Sequence, residues 1–440
     1  MKKLQKIRRR ILLALIFSTC ILHSVPDSAA APVLMSEAAE VPAEVSYALS
    51  AAALEASQYD YDAAISRLEK LPDPLRDDER VEKAIARYEE QKEKCTAFPL
   101  EEVTHIFFHT LIYDTDKAFD GDFDSAGYNQ VMTTIREFKR ILNALYARGY
   151  VLVSPHDLAG ENKKGKMRQK KLMLPEGKKP IVLSQDDVSY YHYMDGDGFA
   201  SRLLLDENGV VKNEYILEDG SAMIGDFDLV PIVDSFIQTH PDFSYHGHKG
   251  VLAMTGYNGV LGYRTDEAYR TWEGLTEDQL QFLNSHPEFD FEKEVREATE
   301  VADALKKTGW EFASHTWGHR NAAEASATEL ADDDAKWKRN VAPILGDTDM
   351  IFFAFGADIG DWTPYSRENP KYQYYYDAGY RYFCNVDSNV FWIQLTDEYF
   401  RQGRRNVDGY RMYYNPEMLS DLMDVNGVWD NARPTPVSTG

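Results

Sequence analysis

Residues 294–319 read EVREATEVADALKKTGWEFASHTWGH. Glu294 to Lys307 reads as a helix, and Gly309 stops it, since glycine accepts the left-handed conformation that ends a helix. Trp310–Ser314 then reads as a strand, with two histidines four residues apart just beyond it. Working outward, the same alternation recurs. Val103–Phe108 is a strand, Tyr128–Arg148 an amphipathic helix closed by Gly149, and Tyr150–Val153 the next strand. Ile181–Leu183 is a short buried strand, and Met350–Phe355 another. Such alternation predicts parallel strands with crossover helices, either barrel or doubly wound. Glu161–Lys171 reads as a charged loop. The stretch from Val188 to Phe291 is irregular, with a hairpin expected around Asp206-Glu207-Asn208-Gly209; in a barrel it would lie over the functional face. The run Tyr372–Tyr376, followed by Asp377-Ala378-Gly379-Tyr380, reads as helix, stop and strand, with the aromatics in the core.

The chain has 440 residues and a formal net charge of −24, with 44% hydrophobic and 27% charged residues. The composition is that of a globular protein, and the acidity argues against a nucleic-acid partner, which would need a basic face. One basic island, KKLQKIRRR at residues 2–10, precedes an apolar run from Ile11 to Leu22. That run is too short to span a bilayer, for which about 20 residues are needed. With the small residues Ser28–Ala31 it reads as a secretory signal over 1–31, lipid attachment at Cys20 being the alternative. A secreted or cell-surface protein with no membrane span after signal removal is expected. Residues 37–98 read as a helical hairpin module broken at Pro72-Asp73-Pro74, 100–425 as the α/β domain and 426–440 as a tail. Cys95 and Cys384 could pair or stay free.

Asp186-Asp187 follow the strand Ile181–Leu183 through Ser184-Gln185. At a strand end, where the chain turns, both carboxylates can face one pocket, and parallel α/β folds place their sites there. In His315-Thr316-Trp317-Gly318-His319, a helical turn would put both imidazoles on one face. Thr316 stands where a metalloprotease helix would carry its glutamate, so this motif brings ligands but no base. One aspartate and two histidines make a three-ligand site with an open position, and the second aspartate can take a proton from water there.

At these residues the sequence resembles the polysaccharide deacetylases, the NodB-like carbohydrate esterases of family 4. Gly309–His319 is similar to that family's second motif along its whole length, and Ser184-Gln185-Asp186-Asp187 resembles its first, Thr-Phe-Asp-Asp. The resemblance implies an irregular (β/α)7 barrel from about Val103 to Leu422. It makes Asp186 the general base and Asp187, His315 and His319 the ligands of one divalent transition metal, zinc above cobalt or nickel. The third motif corresponds best to Phe352–Gly356. Phe352 stands where the family has the arginine that orients the base, Asp358 and Asp361 following as candidates to compensate, and the Phe355 backbone NH takes the oxyanion role. No histidine follows His319, although the family's last motif supplies one. A permuted branch, the poly-N-acetylglucosamine deacetylases, carries that histidine on its first strand, and Ile106–Ile112 resembles that element, with His109 as the acid. Trp317, Trp362 and Tyr365 are candidates to stack on sugar rings; Tyr245-His246-Gly247-His248 reads as a solvated loop. The implied function is removal of N-acetyl groups from an N-acetylglucosamine-type polysaccharide. The alternatives are a silent glycan-binding domain on the same fold, or an esterase or amidase with another acetylated substrate.

Overall fold

The computed structural model describes residues 42–387 and 389–439. The segment read as a signal, Cys20 and residues 37–41 lie outside them. No helix among the described residues is long and apolar enough to cross a membrane.

Seven strands form the centre: β1 (Thr104–Phe108), β2 (Lys179–Asp186), β3 (Gly250–Met254), β4 (Trp310–Ser314), β5 (Met350–Phe352), β6 (Tyr382–Val386) and β7 (Phe400–Asn406). Each pairs in parallel with the next in chain order, and β7 pairs with β1. The sheet therefore closes into a seven-stranded α/β barrel. A further short strand, Tyr150–Leu152, pairs only with the first residues of β2. That leaves the later residues of β2 free to pair with β3, which makes the barrel irregular.

The strands are apolar on both faces because both are covered. Ile181, Leu183, Leu252 and Met254 point outward onto Phe138, Ile141 and Leu145 of helix Ile135–Ala147 and onto Val301 and Leu305 of helix Phe291–Lys307. Val182, Val251, Ala253, Phe352, Cys384 and Phe400 point inward. The interior also carries polar side chains, with His105, Ser184, Gln402 and Arg404 buried there. His105 bonds Ser184 Oγ at 2.9 Å and Gln402 Oε1 at 3.2 Å. Burial holds its imidazole well below the ordinary histidine value.

Several elements differ from the sequence reading. Tyr128–Arg148 is two helices, Ser125–Val131 and Ile135–Ala147, because Thr134 and Glu137 form a capping box that starts the second one afresh. The charged loop 161–171 contains a strand pair, Ala159–Glu161 against Met167–Gln169. Four helices (Ala43–Ser57, Tyr61–Glu69, Asp73–Arg76 and Glu79–Glu93) make up the N-terminal part. Their residues Val45, Ala52, Leu68 and Val81 join the apolar cluster that fills the barrel interior, so they fold as one unit with it. Residues 426–439 are tied in as well: Arg433, fully buried, pairs with buried Glu137 at 2.6 Å. Cys95 and Cys384 are both buried and free.

Candidate active site

β2 delivers Asp186 as its last residue, level with Ala253 of β3 and facing inward. Strict alternation would send Asp187 to the opposite face. Its φ of +61° breaks that alternation, turning the chain so that both carboxylates sit at one rim. A non-glycine residue in the left-handed region costs about 1–3 kcal/mol, and such costs gather at functional sites. Thr316, His319 and Phe355, all at this rim, share the conformation.

His315 continues the β3–β4 pairing by donating its NH to the Met254 carbonyl at 2.9 Å. The expected helical turn does not form, because Thr316 (φ 62°) and His319 (φ 50°) both leave the helical region. Asp333 of helix Ala327–Asn340 imposes the alternative, accepting the NH groups of Trp317 at 2.6 Å and Gly318 at 2.9 Å. Thr316 Oγ1 accepts from the Arg320 NH at 2.7 Å and closes the turn. The two imidazole centroids still come within 5.1 Å.

Asp187, His315 and His319 each offer a ligand atom within 4.8 Å of the others. His319 Nε2 is 3.6 Å from Asp187 Oδ2. His315 Nδ1 is 2.7 Å from the Phe352 carbonyl, which can only accept. This bond assigns the proton to Nδ1 and leaves the Nε2 lone pair for a metal. Burial lowers the His315 pKa against the pull of Asp186 and Asp187, which favours the neutral, ligating form. One carboxylate and two imidazoles fit zinc, cobalt or nickel. Asp122, Asp124 and Asp197 also lie within this spacing, but as carboxylates alone near the surface.

The arginine missing at Phe352 is supplied from elsewhere. Arg404 on β7, fully buried, donates from Nη1 to Asp186 Oδ1 at 2.6 Å. Its guanidinium lies 4.5 Å from the Phe107 ring centroid and 4.9 Å from that of Phe352. The phenylalanine in the third motif is thus part of the arginine's seat. Asp358 does not compensate as expected: it pairs with Arg401, on the opposite face of β7. Asp361 bonds Thr363. Burial raises the Asp186 pKa, but Arg404 and then His315 outweigh it and hold the carboxyl well below the usual range. His315 Nε2 stands 3.8 Å from Asp186 Oδ2.

His109 follows β1 and bonds the Val131 carbonyl through Nδ1 at 3.1 Å, which turns Nε2 away from that partner. Phe355 is 70% exposed, its ring centroid 4.4 Å from that of His319. Trp317 is less open than a sugar platform requires: Lys336 lies 4.4 Å over its ring, and Gly256 leaves room for its edge. Trp362 is 76% exposed on the loop after Phe355, its carbonyl accepting from Gln394. Tyr365 is turned instead onto Tyr372, Phe383 and Tyr399. The Tyr245–His248 segment enters β3 at its amino end, the opposite end of the barrel, and His248 is buried rather than solvated. Sequence reasoning missed Arg404 and Asp333, neither of which stands in a recognisable motif.

No family model matches the chain, and no curated protein matches it. Among solved structures it is similar to the Streptococcus pyogenes deacetylase PplD in complex with acetate. The match has a TM-score of 0.36 and 13% identity over 74% of this chain and 99% of that one.

Proposed function

We propose that this chain is a metal-dependent hydrolase that removes N-acetyl groups from an N-acetylglucosamine-type polysaccharide outside the cell or in its wall. The observation that carries this reading is the convergence, at one barrel rim, of the Asp187–His315–His319 donor set with the arginine-held carboxylate of Asp186. A metal bound by those three would polarise an acetyl carbonyl and bring water to a pKa of about 7. Asp186, kept ionised by Arg404, accepts the water's proton as it attacks the acetyl carbon. The Phe355 NH is the proposed donor to the developing oxyanion, and the exposed rings of Phe355 and Trp362 would face sugar. His109, oriented by Val131, then protonates the departing amine, which leaves poorly as an anion. Export through the basic and apolar N-terminus places the protein beside such a polymer. The alternative of a silent glycan-binding domain rests on the missing arginine and the unusual motif flanks; the Arg404–Asp186 pair speaks against the first of these grounds.

Purified protein loaded with zinc is expected to release acetate from acetylated chitooligosaccharide faster than from acetyl-xylan. Elemental analysis should find about one metal per chain in the parent and far less in His315→Ala. No acetate from any acetylated glycan, with metal bound, would leave a binding domain as the better account. Equal metal in parent and variant would remove the ligand assignment.

His109→Ala is expected to slow amide hydrolysis by about 10²-fold. Hydrolysis of an activated aryl acetate should slow far less, because a phenolate leaves without a proton. Equal losses on the two substrates would exclude His109 as the acid.

A further inference from the structure

We infer that Tyr191 is a positioning residue for the Asp187 carboxylate and so sets the affinity of the metal site; the inference rests on the reading of that site given above. Tyr191 is 4% exposed, and its hydroxyl donates to Asp187 Oδ1 at 2.7 Å. The same hydroxyl lies 2.6 Å from Thr255 Oγ1, itself 3.2 Å from Ser189 Oγ. An ionised carboxylate only accepts, so the Tyr191 proton points to Asp187 and the Thr255 proton must point to Tyr191. A buried row of hydroxyls thus ends on one oxygen of the metal-ligand carboxylate.

That bond divides the work of the two oxygens. Oδ1 is taken by Tyr191, while Oδ2 faces His319 Nε2 at 3.6 Å. Without it the carboxyl could rotate about its broad terminal torsion, on a residue whose backbone is already strained at φ +61°. The phenol cannot drift, because its ring is stacked between two others. Tyr257 lies at 5.0 Å and 12° between planes, Tyr193 at 5.6 Å and 15°. Hydrogen-bond partners of metal ligands fix ligand orientation, and removing one typically weakens metal binding by about 10–100-fold.

Tyr191→Phe keeps the stacked ring and deletes only the hydroxyl. Metal-free full-length protein would be titrated with Co²⁺, reading both the dissociation constant and the visible absorption of the bound ion. The expected result is binding weaker by about 10–100-fold with a shifted visible band, while Tyr193→Phe titrates like the parent. Thr255→Val, which keeps the shape but removes the donor to Tyr191 and the partner of Ser189, should shift the constant in the same direction by less, and it serves if Tyr191→Phe does not fold. Parent-like affinity and spectrum in Tyr191→Phe, or in Thr255→Val where that variant stands in, would overturn the inference and leave the metal site intact. Failure of the parent itself to bind Co²⁺ would overturn the metal-site reading and this inference with it.

Discussion

Asp186→Asn is expected to lower acetate release by about 10²–10⁴-fold while leaving the metal content at the parent level. The amide has the size of the carboxylate and can still occupy the space beside Arg404, but it cannot take a proton from water. Asp186 is buried, and its Oδ1 is engaged by the Arg404 guanidinium at 2.6 Å, so the proposed ligand trio is complete without it. Metal content therefore separates the two neighbouring aspartates. Loss of metal in Asp186→Asn together with retention in Asp187→Asn would exchange their roles.

Arg404→Met is expected to destabilise the metal-free protein by about 3–5 kcal/mol, the cost of leaving one member of a buried ion pair alone. The pair is almost wholly shielded, with side chains 0% and 3% exposed, so solvent screening takes little from that figure. Methionine fills comparable volume between the rings of Phe107 and Phe352, which keeps the cavity contribution small. The cost should fall below about 2 kcal/mol when Asp186→Asn is already present, because no buried negative charge then remains to be orphaned. Chemical denaturation of the four proteins measures this. An equal cost in both backgrounds would mean that Arg404 acts by packing alone and does not serve the carboxylate.

The alternation of apolar runs with helical segments was legible because it is local. A strand covered on both faces must be apolar at every position, and a crossover helix must show its 3.6-residue period, whatever the strand's neighbours are. The ends of β2 and β4 were legible for the same reason, since a carboxylate pair or a histidine pair soon after an apolar strand falls where the chain leaves the sheet. At the histidine motif the sequence reading failed because a residue of another element intervened. The turn holding His315 and His319 is imposed by Asp333, which captures two backbone NH groups that a helix would have used otherwise.

By itself, then, the sequence determined the alternation of strands with crossover helices and the strand-end positions of Asp186-Asp187 and of His315 and His319, while the barrel and the proposed donor set followed only from the family resemblance. Only the tertiary structure decided what holds them. Arg404 reaches Asp186 from 218 residues away, and it can do so only because β7 closes beside β1 and thereby faces β2 across the interior. Thr255 reaches Tyr191, whose hydroxyl bonds Asp187, because β3 pairs with the last residues of β2, where the edge strand Tyr150–Leu152 has already ended. Neighbours of this kind follow from barrel closure and strand register, which place together residues that no spacing along the chain relates.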